Sequence, residues 1–289
     1  MTKILSSLLL IILFTKSYSQ DVVSSNIKSI EVLEFELIKK GSEFVKGQRL
    51  GITEYVDDYL EEYNKTGKVI ATYRLFVDTE PILRATYEYN NQDLLVKMAS
   101  YSVGTKKLSS TTFYMYENQN RISEEKFITE PNTVGFVNTI ETYKYNTSTK
   151  DYECSRYVQN EENKEFELNN IQYFKVDNKD NVLQQLYYDP AKKENYREEN
   201  YKFNSKNKIV ESQLKDDVAE NISNETYSYN KNGDVVKQNT ETIYKDGKKY
   251  SYEYTYDYSY DKEGSWVTKK SMKNEKEPGV YYERKIVYR

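Results

Sequence analysis

The residues best suited to meet a ligand occupy alternate positions of one stretch. They are Tyr250, Tyr252, Tyr254, Tyr256, Tyr258 and Tyr260, followed by the chain's one tryptophan, Trp266. Rings in a row stack on sugar faces or give a protein partner rigid anchors that lose little entropy, and their hydroxyls tolerate a wet edge. The ligand-binding candidates are therefore Tyr254, Tyr256, Tyr258, Tyr260 and Trp266, at the end where the rings are densest. The same rings have a structural use, because cross-strand aromatic pairs hold a thin sheet together.

Most catalytic chemistry is excluded by composition. The chain has no histidine, which removes Ser-His-Asp and Cys-His nucleophiles, histidine zinc sites and the usual general base near neutral pH. A carboxylate pair of the glycosidase kind remains, but 46 acidic residues spread over solvated strand faces single out no pair. No catalytic residue is assigned, and a non-enzyme is expected. The oxygen-rich run Asp177-Asn178-Lys179-Asp180-Asn181 is broken by Lys179, and Val182 and Tyr188 stand where a calcium loop needs Gly and Glu. It reads as a polar hairpin turn, so no metal or cofactor is expected. Cys154, alone, forms no internal disulfide, and without a cationic neighbourhood it is expected to be an inert thiol.

The alternation of the tyrosines is the period of a β-strand, bounded by Asp246-Gly247 and Asp261-Lys262-Glu263-Gly264. Residues 1–19 read as a signal peptide, with basic Lys3, an apolar run from Ile4 to Phe14, small Ser17 and Ser19, and cleavage before Gln20. Residues 20–289 are then a single exported domain, periplasmic or extracellular. Removing Lys3 and Lys16 leaves 40 basic residues against 46 acidic ones, a net charge of −6 that argues against nucleic acid as partner. The hydrophobic fraction of 37% is low, yet 31 Tyr and 10 Phe supply strand-forming ring surface, which predicts a sheet solvated on at least one face.

One pattern repeats along the mature chain: aromatic-x-aromatic, Asn or Asp, two free residues, Gly or a polar substitute, then an apolar pair. Its second aromatic position falls at Leu37, Tyr63, Tyr89, Tyr116, Tyr145, Val176, Phe203, Tyr229 and Tyr260, with a closing strand at Tyr288, in steps of 26 to 31 residues. A period of about 28 residues means a repeat architecture, each unit holding two strands and two turns. Phe35-Glu36-Leu37, the first copy, is degenerate, as a capping repeat often is. The first turn of each unit is expected to be type I followed by a left-handed residue.

Turn lengths set the register. A three-residue turn at Asp261 places Tyr260 opposite Trp266, and the same rule places Tyr229 opposite Val235. A two-residue turn at Asp246-Gly247 places Val235 opposite Tyr258 and Lys237 opposite Tyr256, so the aromatic face also carries Lys237, Asn239 and Glu241. The fold class is all-β, an antiparallel meander of tandem hairpin repeats forming a curved or spiral sheet, with a closed β-barrel as the alternative. A chain that does not span a membrane is expected, because charges on the aromatic face deny it a lipid-facing apolar band.

At Tyr258-Ser259-Tyr260-Asp261-Lys262-Glu263-Gly264 and Tyr227-Ser228-Tyr229-Asn230-Lys231-Asn232-Gly233 the sequence resembles the Rhs/YD-repeat family, and it looks like secreted YD-like proteins of the Bacteroidota. The resemblance implies cell-surface contact, carbohydrate binding or toxin delivery. The expected function is an exported, non-enzymatic binding or structural module recognising envelope or extracellular polysaccharide through the Tyr/Trp face. A protein-interaction scaffold or toxin-associated accessory is the alternative, and a carboxylate-based hydrolase the second alternative.

Overall fold

The computed structural model describes residues 24–50, 58–131, 137–274 and 277–289; the expected signal peptide and its cut site lie outside them. Nineteen strands run through the described residues. They are β1 (Ile27–Lys40), β2 (Glu43–Arg49), β3 (Tyr59–Tyr63), β4 (Val69–Arg74), β5 (Ile82–Tyr89), β6 (Leu95–Tyr101), β7 (Leu108–Tyr116), β8 (Ile122–Thr129), β9 (Thr139–Tyr145) and β10 (Tyr152–Gln159). There follow β11 (Phe166–Val176), β12 (Val182–Asp189), β13 (Glu194–Phe203), β14 (Ile209–Asp216), β15 (Asn221–Tyr229), β16 (Val235–Tyr244), β17 (Lys249–Tyr260), β18 (Trp266–Lys273) and β19 (Glu277–Tyr288).

From β3 onward each strand pairs antiparallel with the next, as short turns require, and the first strand closes the sheet. On one side β1 pairs β19 through Ile30↔Ile286 and Val32↔Arg284, and on the other it pairs β3 through Ile30↔Glu61 and Val32↔Tyr59. The result is an 18-strand barrel, with β2 beside it on the far end of β1 at Leu37↔Lys46 and Ile38↔Val45. The meander thus ends as the closed alternative and not as an open spiral. Closure removes two edges of unpaired N–H and C=O groups, and the 14-residue β1 is long enough to serve three partners. Phe35-Glu36-Leu37 accordingly belongs to this seam and not to a cap, while Tyr288 closes the ring opposite Ile27.

The repeat turns follow the expected chemistry. Asn64, Asn90, Asp177, Asn204, Asn230 and Asp261 each accept backbone N–H groups two and four residues on with one side-chain oxygen. The fourth turn residue takes positive φ, as glycine at Gly67, Gly233 and Gly264 and as its polar substitute at Asp93, Asn120, Asp180 and Asn207. Asn and Asp tolerate this conformation better than other side chains, so the lost glycines cost little.

The register at Asp261 and at Asn230 is as the sequence predicts, with Tyr260↔Trp266 and Tyr229↔Val235. The register at Asp246-Gly247 differs by one. Tyr244 donates its N–H to Lys248 O and Gly247 donates to Tyr244 O, which makes the loop three residues long and pairs Lys237 with Thr255. One residue of slip turns a strand over. Lys237, Asn239 and Glu241 therefore lie on the face opposite the tyrosines, and Lys237 pairs with Glu253. The tyrosine face instead carries Gln238, Thr240 and Thr242.

Burial assigns the two faces. Along β14 and β15 the residues on the tyrosine side are half-buried and most of the others exposed. Ile30, Val32, Tyr63, Tyr114, Cys154, Phe174, Thr240 and Ser271, buried, all belong to the tyrosine side by register. Side chains converge on the concave side of a closed sheet, so the tyrosines line the interior. Ile27, Ile30, Val32, Tyr63 and Val69 form one packed arc there, joined by Tyr87 to a second arc of Leu95, Tyr114 and Ile122.

Five tyrosine hydroxyls stitch a hairpin to the one before it. Tyr89 donates to Val69 O, Tyr116 to Leu95 O, Tyr145 to Ile122 O, Tyr229 to Ile209 O and Tyr258 to Val235 O. In each case the acceptor is the first residue of the strand after the preceding repeat turn, so the motif tyrosine sets hairpin spacing around one rim. Tyr229→Phe removes only the donor and is expected to cost about 1 kcal/mol. A lower urea midpoint at unchanged slope is the expected readout.

Candidate functional site

The five ring residues singled out by sequence come together on the interior wall. Tyr258 stacks on Tyr260 at 6.1 Å and meets Trp266 edge-on at 6.4 Å, while Tyr254 stacks on Tyr256 at 6.4 Å. Their hydroxyls are largely engaged. Tyr260 donates to Asp234 Oδ2 at 2.6 Å and accepts from Asn230 Nδ2 at 2.7 Å, and Tyr256 donates to Gln238 Oε1 at 3.3 Å. Tyr250, at the other end of the stretch, is 58% exposed.

Two cations, absent from the sequence reading, occupy the ring faces. Lys269 Nζ lies 3.7 Å from the Tyr282 centroid and 5.8 Å from those of Tyr256 and Trp266, and the Arg284 guanidinium lies 4.8 Å from Trp266. Burial holds the Lys269 amine below its ordinary pKa, opposed by the nearby Glu34 carboxylate. An aromatic cage of this kind suits a cation, and here the chain's own lysine fills it. Trp266 is consequently a packed ring flanked by two cations and not an open platform.

Below the rings lies a layer of carboxylates and guanidiniums. Tyr143 donates to Glu141 at 3.1 Å, Tyr201 and Tyr227 donate to Glu199 and Glu225 two residues back, and Arg197 binds Glu199 at 2.6 Å. Glu125 and Glu141 face each other directly across β8 and β9, the acid pair that sequence alone leaves undetermined. Glu141 also has Arg156 Nε at the ion-pair distance of 3.8 Å from Oε1 and the Cys154 thiol at 3.8 Å from Oε2, so its charge is balanced within the wall. Cys154 is buried, and burial followed by the Glu141 charge pushes its thiol far above the ordinary range, which makes it a poor nucleophile. Asp177 caps its own turn, accepting from Lys179 and Asn181 N–H groups and from Asn181 Nδ2 at 2.9 Å.

The outer wall carries opposite charges side by side, as in Glu88–Lys97, Lys202–Glu211 and Lys237–Glu253. Such exposed pairs add about 0–1 kcal/mol each. Opposite charges therefore recur along the outer wall, where each lysine would cost about 2–4 kcal/mol at a bilayer midplane. The interior face also carries charge, at Glu141, Arg156, Arg197 and Glu225. Among the described residues no helix is long and apolar enough to cross a membrane.

These features define a wide all-β barrel of tandem hairpins whose described interior side chains are mostly half-buried, polar and aromatic. No family model matches the chain, and no curated protein does. Among solved structures, it is similar to a porin-like protein from Bacteroides uniformis, with 12% identity over 91% of this chain and 98% of that one and a TM-score of 0.43. A porin-like protein from Bacteroides vulgatus shows 10% identity over 90% and 97%, with a TM-score of 0.37. A chain of the TcdB2-TccC3-Cdc42 structure shows 8% identity and a TM-score of 0.31 over 82% of this chain, which spans 15% of that chain's length.

Proposed function

We propose that the protein works outside the cytoplasm as a non-enzymatic, YD-repeat-like barrel scaffold that presents rigid wall surfaces to a partner. The observation that supports it is the use of the chain's most chemically capable groups. The motif hydroxyls join hairpins, Lys269 fills the aromatic cage, and the Glu141 carboxylate is tied to Tyr143 and Arg156. A charged outer wall keeps the ring in water. Pull-downs from the exporting cell are expected to recover a reproducible partner with the closed ring, and repeated recovery of none overturns the reading.

A second reading, polysaccharide recognition by Tyr254, Tyr256, Tyr258, Tyr260 and Trp266, is favoured by one feature. The interior wall alternates half-buried rings with amides and carboxylates, the pairing of apolar faces and hydrogen-bonding groups that a sugar requires. On this reading, binding in a broad glycan screen is abolished by Trp266→Ala with Tyr258→Ala. Binding that survives both substitutions removes the interior as the site.

A further inference from the structure

The outer wall departs from its charge-paired pattern on β10 to β12. Tyr157↔Leu168, Ile171↔Tyr188 and Tyr173↔Leu186 are outward cross-strand pairs there, with Leu168 and Tyr173 exposed. An apolar patch that folding leaves uncovered on a water-facing wall marks a contact surface. At its edge is an open groove of about 450 Å³, lined on this face by Lys144, Glu153, Tyr173, Lys175, Gln184 and Leu186. That volume falls within the range of ligand pockets, about 300–1,000 Å³.

We propose that this groove binds a pyranose unit of a polysaccharide, stacked on Tyr173. The inference rests on the polysaccharide reading above but moves the contact from the interior to the outer wall. Tyr188 meets the Tyr173 ring edge-to-face at 6.4 Å, which fixes the platform before any ligand arrives. Gln184 Nε2 donates to Glu198 at 2.8 Å and Asn200 at 3.2 Å, which immobilises its amide at the groove wall. Lys144 lies 3.9 Å from Glu153, and Lys175 sits opposite Gln184, so donors and acceptors surround the ring. Sugar hydroxyls both donate and accept, and their ring C–H faces pack on an aromatic. A protein partner would favour an apolar centre depleted of charge, whereas lysine and carboxylate groups stand beside this ring.

The test is affinity electrophoresis of the full exported chain in native gels cast with dextran, a neutral polymer, or alginate, a uronate polymer. Retardation is expected with at least one polymer, distinguishing neutral from acidic sugar. Tyr173→Ala is expected to weaken it by about tenfold or more, with Tyr173→Phe and Trp266→Ala near wild type and circular dichroism unchanged. Retardation untouched by Tyr173→Ala but lost in Trp266→Ala overturns the groove and leaves the interior reading standing. No retardation in either gel overturns both. A concentration-dependent dimer removed by Tyr173→Ala, without retardation, assigns the patch to a second copy and overturns the proposal.

Discussion

Raising the pH from about 10 to 12 is expected to open the barrel in one cooperative step. Burial, reinforced by neighbouring carboxylates, lifts the interior phenols above their ordinary range: Glu125 beside Tyr114, Glu199 beside Tyr187 and Tyr201, and Glu34 beside Tyr282. Tyr116 and Tyr145 are pushed up to about 12, again mainly by burial. A folded pKa raised above the unfolded value means that the native state holds protons the unfolded chain has lost. The associated stability is fully present below the unfolded value near 10 and is lost as pH rises toward the folded values. At pH 11 each retained proton costs the fold about 1.4 kcal/mol, so Tyr114, Tyr187, Tyr201 and Tyr282 together remove about 6 kcal/mol. That is comparable with the whole stability of an ordinary domain, about 5–15 kcal/mol. Tyrosinate absorbance and far-ultraviolet circular dichroism, followed together, are expected to change in the same narrow pH interval. Smooth ionisation near pH 10 with an unchanged dichroism spectrum contradicts the placement of these rings inside the barrel.

The parts of this fold legible in the sequence are those set by local turns. Asn or Asp at the head of each repeat and Gly four positions in mark a turn whose length fixes Tyr260 against Trp266 and Tyr229 against Val235. Where the turn signal is ambiguous, as at Asp246-Gly247, a one-residue difference moves Lys237 from the ring face to the outer wall. Closure was open between two outcomes because it depends on β1 finding β19, more than two hundred residues away, and no local pattern encodes that choice. The ring residues of the candidate site were legible from their period, but their occupants were not. Lys269, Tyr282 and Arg284 share the face only through the registers of β17 with β18 and β18 with β19, each of which contains a register shift. Tyr173 gave no signal of its own, since its exposure follows from which face of β11 the closed wall turns outward.

Asp58→Ala is expected to cost about 3 kcal/mol and to loosen the seam before the rest of the ring. Asp58 is only 3% exposed, and each carboxylate oxygen has a defined partner. Oδ1 accepts the Glu34 N–H at 2.6 Å and Oδ2 accepts Arg49 Nε at 2.6 Å, while the Asp58 carbonyl accepts the Leu75 N–H at 3.0 Å. The side chain thereby ties β1 and the end of β2 to the start of β3, at the place where β1 changes partners. Removing it strands a backbone donor and a guanidinium that is 24% exposed, so the effect falls at the lower end of that for a fully buried pair. Asp58→Asn keeps an acceptor and loses the charge, so about half the effect is expected. A second tie lies further along the seam, where the Arg289 guanidinium donates to the carbonyls of Ser25, Ile27, Tyr63 and Asn64. It is exposed, and Arg289→Ala is expected to cost about 1 kcal/mol, adding to the Asp58 effect because the two ties share no partner. Urea midpoints give the magnitudes, and hydrogen exchange gives the place: amides of Ile30 and Val32 in β1 are expected to lose protection in Asp58→Ala ahead of those in β14 and β15. Uniform loss of protection around the ring instead means that closure is held by the sheet as a whole, with the seam no weaker than any other pair of strands.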